Sequence, residues 1–198
     1  MMTVAVCARV SSTGQDCSIW APLRYSRSMP GDEALIRMVD AALAEAARKS
    51  GPWLVCRPGC TECCLGPFPI TQLDARRLRE GLAELDRRDQ RRAARVRERA
   101  RQAVAHTATD DDPCPALDPA TGTCDLYAAR PITCRIFGPP VRYGSDAVGV
   151  CELCFHGASD EEIAACRVEV DPGLEYEVEE STGVRGETLV AFALVTAQ

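Results

Sequence analysis

Apolar residues recur at helical spacing from Asp32 to Ser50, for example at Leu35 and Leu43, so the pattern predicts a helix over this stretch. A Gly-Pro pair follows directly and predicts the end of the helix. Residues 1–29 show no such periodicity and mix Ser, Thr, Gln and Arg. We expect these residues to form a loose N-terminal arm, unless the start codon has been assigned upstream of the true one at Met29.

A second amphipathic pattern begins at Thr71. Thr71 and Asp74 match a capping box with Asp in place of Glu, which predicts that a helix starts there. The apolar positions of this helix are Leu73, Leu78, Leu82 and Leu85. Residues 86–105 are predicted to continue as an arginine-rich helix, whose thin apolar stripe includes Val96.

Outside these helices the chain is rich in turns. The sequence predicts a cysteine-rich loop over Cys56–Pro69. It also predicts a linker or loop over residues 107–113, which contain three consecutive Asp. Cys114–Cys154 leaves little room for regular structure. A capping-box signature predicts a short helix over residues 160–167, and Val184–Ala197 forms a final apolar element that is either a helix or a strand.

Twelve cysteines set the composition apart, because the hydrophobic (46 %) and charged (26 %) fractions are ordinary. Aromatic residues make up only 5 %, so a small core is expected. The longest apolar stretches are far shorter than the ~20 residues of a bilayer span, and no secretory signal is readable. We therefore expect a cytoplasmic protein without membrane contact, whose cysteines serve as metal ligands or catalytic thiols.

Charge is distributed unevenly along the chain. The formal net charge is −6, yet eight arginines fall between Arg87 and Arg101. This stretch lacks interleaved aromatics, and Asp86, Asp89 and Glu98 offer local partners, so a solvated helix face is favoured over a nucleic-acid site. The face could equally meet the acidic C-terminal half of the chain. We expect no nucleic-acid partner, and the sequence indicates no particular protein partner.

Nine of the cysteines fall in two blocks along the chain. The first block is Cys56, Cys60, Cys63 and Cys64, and the second is Cys114, Cys124, Cys134, Cys151 and Cys154. Short spacings with Gly and Pro between them let one loop aim several thiolates at one point, as zinc and iron–sulfur sites require. Because Cys63 and Cys64 are adjacent, they suit two ions, or two corners of a polynuclear centre, better than one ion. The alternatives are a disulfide framework and buried reduced cysteines, and such local clustering disfavours the latter.

The cysteines and their neighbours also follow a specific order. It is C-x3-C-x2-C-C from Cys56, then Cys114-Pro-Ala-Leu, Cys124-Asp-Leu-Tyr and Arg130-Pro-x2-Cys134-Arg. This order resembles the bacterial zinc- or iron-chelating cysteine-cluster family, called CxxCxxCC or YkgJ-like, over residues 56–151. The flagellin lysine N-methylases carry a similar pattern. The resemblance therefore implies a metal site without fixing a reaction.

The resemblance implies a centre for zinc or iron, including an iron–sulfur cluster, held by about eight cysteines. On this sequence the implied ligands are Cys56, Cys60, Cys63, Cys64, Cys114, Cys124, Cys134 and Cys151. Two independent four-thiolate ions need only eight ligands, so we expect Cys154 to be dispensable. His156 is a weaker candidate ligand. Cys7 and Cys17 in the N-terminal arm, and Cys166 on the short helix, are not expected to bind metal.

Several side chains beside the candidate ligands are expected to support them. Arg57, Arg130 and Arg135 can donate N–H bonds to sulfur, although Arg57 is as readily an ordinary surface residue. We expect Tyr127 to pack against the cluster. His106 is expected to cap the C-terminus of the arginine-rich helix, where its charge favours the helix dipole.

Cys56, Cys60 and Cys63 also have the spacing of the radical S-adenosylmethionine motif. That motif follows the first strand of a partial βα barrel, whereas here a helix precedes it and no repeating βα units follow. We therefore predict a mainly-α fold, in which a small helical frame surrounds an irregular cysteine-rich metal-binding centre, with residues 30–198 as one domain. We expect a metal-binding protein rather than an enzyme. The alternative is a metal- or iron–sulfur-dependent enzyme, acting in electron transfer or in protein modification of the lysine N-methylase type.

Overall fold

The computed structural model describes residues 31–106, 109–144, 148–151 and 153–195, so the arm predicted for residues 1–29 lies outside it. Helices account for most of the regular structure. Their bounds are Asp32–Ser50 (α1), Gln72–Arg88 (α2), Gln90–Ala105 (α3), Ile132–Arg135 (α4), Asp160–Cys166 (α5), Pro172–Thr182 (α6) and Val190–Val195 (α7). The short strands are Pro69–Thr71 (β1), Leu117–Asp118 (β2), Thr123–Cys124 (β3), Val141–Tyr143 (β4), Val148–Gly149 (β5), Val168–Val170 (β6) and Glu187–Leu189 (β7). Single 3-10 turns lie at Gly51–Trp53, Glu62–Cys64 and Tyr127–Ala129.

Helix α1 begins and ends where the apolar pattern predicts, and helix α2 begins where its capping signal predicts. α1 ends before Gly51, which has a positive φ of 49° that few other residues adopt readily. At the start of α2, Thr71 Oγ1 accepts the N–H of Asp74 at 3.1 Å. The predicted capping box is only half formed, because the carboxylate of Asp74 turns into the protein instead of back to Thr71.

The arginine-rich helix does not continue α2, so the predicted continuation is wrong. Asp89 leaves the helical region with φ −150° and ψ 84°, and its carboxylate accepts the N–H of Arg92 at 3.0 Å. Aspartate is a favoured N-cap because its side chain satisfies an N–H that has no partner in the first turn. The chain therefore turns at Asp89, and α3 packs back against α2.

The larger core lies between α2, α3 and α7. Its buried side chains include Leu78, Leu82, Ala93, Val96, Ala100, Ala193 and Leu194. The final apolar element proves to be a strand followed by a helix. The strand β7 pairs antiparallel with β1, with Leu189 opposite Pro69, and α7 then covers the α2–α3 pair.

A second core lies between α1, α4, α6 and a three-stranded sheet of order β5-β4-β6. Strand β4 pairs antiparallel with β5 and parallel with β6. Helix α6 was not predicted, although its start and end carry ordinary signals. Asp171 caps it by accepting the N–H of Gly173 at 2.8 Å, Pro172 occupies its first turn, and Gly183 ends it with φ 70°.

The chain between α3 and α5 is mostly irregular, as predicted, but it contains the hairpin β2–β3 and the single turn of α4. The capping box predicted for α5 is confirmed, because Ser159 and Glu162 exchange side-chain and backbone hydrogen bonds of 2.8 and 3.3 Å. Across the described ranges, no helix combines the length and apolarity needed to cross a membrane.

A buried ionic network joins the two cores. Both oxygens of Asp74 accept the backbone N–H of Ile132, the first residue of α4, at 3.1 Å. Arg77 pairs with Asp74 and donates from Nε to Asp32 at 2.7 Å. Since α4 also carries Cys134, this network fixes the position of a candidate ligand.

Glu175 on α6 closes the network. Its side chain is only 9 % exposed and accepts the hydroxyl of Thr71 at 2.8 Å. Burial, together with the negative charge of Asp74, raises the pKa of Glu175 from 4.5 to about 6, against the opposing effects of Thr71 and Arg77. The ionised carboxylate is therefore held at a cost in stability at neutral pH.

We predict that Glu175→Gln raises the free energy of unfolding at pH 7 by up to about 2 kcal/mol, because the amide keeps the acceptor for Thr71 without the buried charge. Because the pKa of Glu175 is raised in the folded state, its protonation stabilises that state below pH 4.5. This stabilisation is lost as the pH rises through about 6. The gain should therefore vanish below pH 4.5. Urea unfolding at pH 4 and pH 7 measures it, with the exposed Glu177→Gln on the same helix as control. A Glu175→Gln protein less stable than wild type at pH 7 would refute this account.

Candidate metal centre

All nine clustered cysteines lie on irregular chain or on the shortest elements, and all are free thiols. The structure brings them into two groups. We call the first group the inner thiols: Cys63, Cys64, Cys114, Cys124 and Cys134. We call the second group the outer thiols: Cys56, Cys60, Cys151 and Cys154.

Backbone pairing assembles the inner thiols. The N–H of Cys114 donates to the carbonyl of Cys64 at 2.7 Å, which joins the first cysteine block to the second. The β2–β3 hairpin then pairs Leu117 with Cys124, so the chain returns to the segment that carries Cys114. The third segment is helix α4, which carries Cys134 and is held in place by the hydrogen bond from its first residue to Asp74.

The proximity of the inner thiols is reflected in their pKa values. A hydrogen bond between Cys63 and Cys64 lowers the pKa of Cys63 to about 6 and raises that of Cys64. Burial raises the pKa of Cys114 to about 11. Burial also raises the pKa of Cys134, and the thiols of Cys114 and Cys124 add to the effect. Burial and the neighbouring thiols therefore oppose the ionisation of most inner thiols when no cation is present.

The outer thiols meet where the first cysteine block contacts the turn after β5. The sulfurs of Cys56 and Cys154 lie 3.9 Å apart, although 98 residues separate them in sequence. The N–H of Phe155 donates to the carbonyl of Trp53 at 3.1 Å, and the two rings stack with centroids 6.2 Å apart. The N–H of Cys154 donates to the carbonyl of Cys151 at 2.9 Å, which closes the turn that carries both thiols.

Cys56 is influenced by all three other outer thiols. Partial burial of its sulfur, together with the thiols of Cys154, Cys151 and Cys60, raises the pKa of Cys56 to about 12. The turn after α4 packs on the same sulfur. A Cβ atom at Gly138, whose φ is 118°, would lie only 3.2 Å from the sulfur of Cys56. Glycine is required there by both the conformation and the contact.

The arginine-rich helix holds the hairpin through a residue that the sequence analysis did not single out. The side chain of Asp125 is 1 % exposed and pairs with both Arg92 and Arg99 of α3. Arg99 also donates from Nε to the carbonyl of Pro115 at 2.8 Å. The alternative in which this helix meets the acidic half of the chain is therefore realised at Asp125, which directly follows Cys124.

The supporting arginines act differently from what the sequence suggested. Arg135 donates to the carbonyls of Arg130 and Ala128 at 3.0 and 2.6 Å, so it orders backbone rather than sulfur. The guanidinium of Arg130 stacks on the ring of Tyr127 at 3.7 Å, and its charge lowers the pKa of Cys63. Tyr127 itself is 64 % exposed, so the prediction that it packs against the cluster is wrong. Arg57 is exposed.

The remaining candidates lie apart from the two groups. Cys166 is buried in a small apolar cluster and donates from its sulfur to the carbonyl of Lys49 at 3.4 Å, as expected for a core residue. His106 caps α3 through the carbonyl of Gln102 at 2.7 Å, and this hydrogen bond raises the pKa of His106. His156 is exposed. Cys7 and Cys17 lie outside the described residues.

The donor set fits zinc or iron by its chemistry. Every clustered candidate is a thiol, and both a tetrahedral zinc ion and an iron–sulfur cluster are held by cysteine thiolates. In the part of the chain that the structure describes, no three Cys, His, Asp or Glu side chains already surround one point closely enough to hold an ion. Binding would therefore draw the thiols of a group together.

Comparison with known families gives an independent result. The family model CxxCxxCC, described as "Putative zinc- or iron-chelating domain", matches residues 55–154. This range contains all inner and outer thiols. No curated protein and no solved structure matches the chain.

We predict that Asp125→Asn lowers the free energy of unfolding by about 1–3 kcal/mol, because it replaces charged hydrogen bonds to Arg92 and Arg99 by neutral ones. The matched control is Glu98→Gln on α3. Glu98 pairs with Arg101, but both side chains are more than half exposed, so the change should stay below about 0.5 kcal/mol. Urea unfolding of both variants at equal metal content is the measurement. Equal losses in both variants would contradict the role given to Asp125.

Proposed function

The chain belongs to the CxxCxxCC family of zinc- or iron-chelating domains, and from this membership we propose that it holds zinc or iron through cysteine thiolates. If the metal is iron, the proposal covers an iron–sulfur cluster as well as a single ion, because both are bound by cysteine thiolates. The proposed ligands are Cys56, Cys60, Cys63, Cys64, Cys114, Cys124, Cys134 and Cys151.

The convergence of thiols from distant segments is the observation that carries this proposal. Cys64 and Cys114 are joined through their backbones, and the sulfurs of Cys56 and Cys154 lie 3.9 Å apart. Cysteines that only fill a core contact apolar side chains and donate weakly to carbonyls, as Cys166 does. Thiols gathered against one another on irregular chain are better explained as ligands.

Charge supports the same proposal. Eight thiolates carry eight negative charges, and burial already opposes the ionisation of Cys114 and Cys134. Metal cations supply the missing positive charge, since they replace the thiol protons on binding. Arg130 adds a fixed positive charge beside Cys63 and Cys124. A metal-bound state therefore resolves the repulsion that the free thiolates would suffer.

Catalysis is the second candidate function, and one cavity bears on it. A cavity of about 210 Å³ borders Cys114 and is lined by Phe68, Val104, Val190 and Phe192, with His106 at its edge. Sites for small molecules usually measure about 300–1,000 Å³ and combine apolar walls with several convergent polar groups. This cavity is smaller and largely apolar. A second cavity of about 490 Å³, lined by Asp32, Arg77 and Arg135 among others, borders none of the clustered thiols. We therefore propose metal binding as the function, with catalysis as the alternative.

We predict that anaerobically purified protein contains zinc or iron, and that Cys63→Ser or Cys134→Ser lowers its metal content by at least one ion per chain. Serine oxygen is a poorer ligand for these metals than thiolate sulfur. Elemental analysis of the purified proteins, with protein concentration from amino-acid analysis, measures the ratio.

The controls for this prediction are Cys7→Ser, Cys17→Ser and Cys166→Ser, which should all retain the wild-type ratio. If wild type contains no transition metal after anaerobic purification and reloading, the proposed function is wrong. If Cys166→Ser loses as much metal as Cys63→Ser, the division into ligands and bystanders is wrong.

A further inference from the structure

We infer that the outer thiols form a metal site of their own, which holds one divalent zinc or iron ion and exchanges it readily, and that Cys154 is its fourth ligand. The inference rests on the proposed function, because it divides the thiolate ligands between two sites. It also enlarges the ligand set, since Cys154 joins Cys56, Cys60 and Cys151.

The outer thiols come as two pairs, each on a tight turn. In the first pair the N–H of Cys60 donates to the carbonyl of Arg57 at 3.0 Å, and in the second the N–H of Cys154 donates to Cys151 at 2.9 Å. Two short cysteine pairs from separate segments are the usual ligand arrangement of a tetrahedral zinc site. Four thiolates complete such a site, and the outer thiols supply four without drawing on the inner thiols.

The two turns are held together by contacts that need no metal. The backbone bond between Phe155 and Trp53 and the stacking of their rings fix the second turn against the segment before Cys56. Cys154 lies at the contact, 3 % exposed, with its sulfur 3.9 Å from that of Cys56. Cys154 is therefore placed as a ligand at least as well as Cys151, which the sequence alone favoured.

Exposure distinguishes this site from the inner thiols. Among the nine clustered thiols, all of which the structure describes, Cys56 alone is exposed. An incoming thiolate or chelator can bind an ion there while the bond from the metal to the Cys56 sulfur breaks. The released thiolate then takes a proton from water, and no atom changes its oxidation state. The inner thiols offer no equally exposed ligand at which exchange can begin.

The test uses the full chain loaded anaerobically with Zn²⁺, mixed with an excess of a chromophoric zinc chelator. Wild type should release its zinc in two phases, and the rate constant of the fast phase should exceed that of the slow phase by about tenfold or more. The fast phase should correspond to one ion, as expected for four thiolates. Cys56→Ser and Cys154→Ser should each lose this phase and one ion per chain, whereas Cys114→Ser should keep the fast phase.

Cys166→Ser is the matched control, because Cys166 is as buried as Cys154 and lies in the same apolar cluster. It should keep both phases. A Cys154→Ser protein with wild-type zinc content and an unchanged fast phase would overturn the inference, and so would release of all zinc from wild type in one phase. Wild type that binds no zinc or iron would instead refute the proposed function.

A second measurement needs no variant and so does not depend on any variant folding. After the fast phase, the wild-type protein is alkylated with iodoacetamide, and the modified cysteines are identified by peptide mass spectrometry. Cys56, Cys60, Cys151 and Cys154 should be modified, while the inner thiols stay protected by their metal. Equal modification of Cys64 and Cys114 would show one common pool of ligands and contradict a separate site.

Discussion

Negative charges of neighbouring thiolates repel one another, and this repulsion determines when the clustered cysteines can ionise. Burial raises the pKa of Cys114 and Cys134, and nearby thiols add to that of Cys134. Clustered thiols can therefore ionise together only around a cation. The chain that carries them between α3 and α5 has few regular elements of its own, so bound metal would contribute much of the free energy that orders it.

Helices α2 and α3 prepare the thiols for this role without supplying ligands themselves. Asp74 of α2 accepts the first N–H of α4, and the arginines of α3 hold Asp125 beside the hairpin. On the outer side, the stacked Trp53 and Phe155 join the segments that carry the outer thiols. Each group of thiols is thus held by a buried ion pair, a hydrogen bond to the backbone or an aromatic stack that lies one to three residues from a thiol.

Much of the frame could be predicted because its signals are local. Apolar spacing and caps locate α1, α2 and α5, and Asp171 and Gly183 carry similar local signals for α6. The break at Asp89 was missed because an aspartate within a polar helix looks like a solvated charge until the fold makes it a cap. The cysteine pattern indicates metal, but spacing cannot sort nine thiols into two groups. That sorting depends on contacts across 98 residues, such as the one between Cys56 and Cys154.

X-ray absorption at the metal edge tests the central claim most directly, because it reports which atoms surround the metal in the intact protein. The account predicts a first shell made of sulfur alone, at about 2.3 Å if the metal is zinc. A first shell dominated by oxygen or nitrogen would contradict it, since thiolates would then not be the ligands that hold the ion.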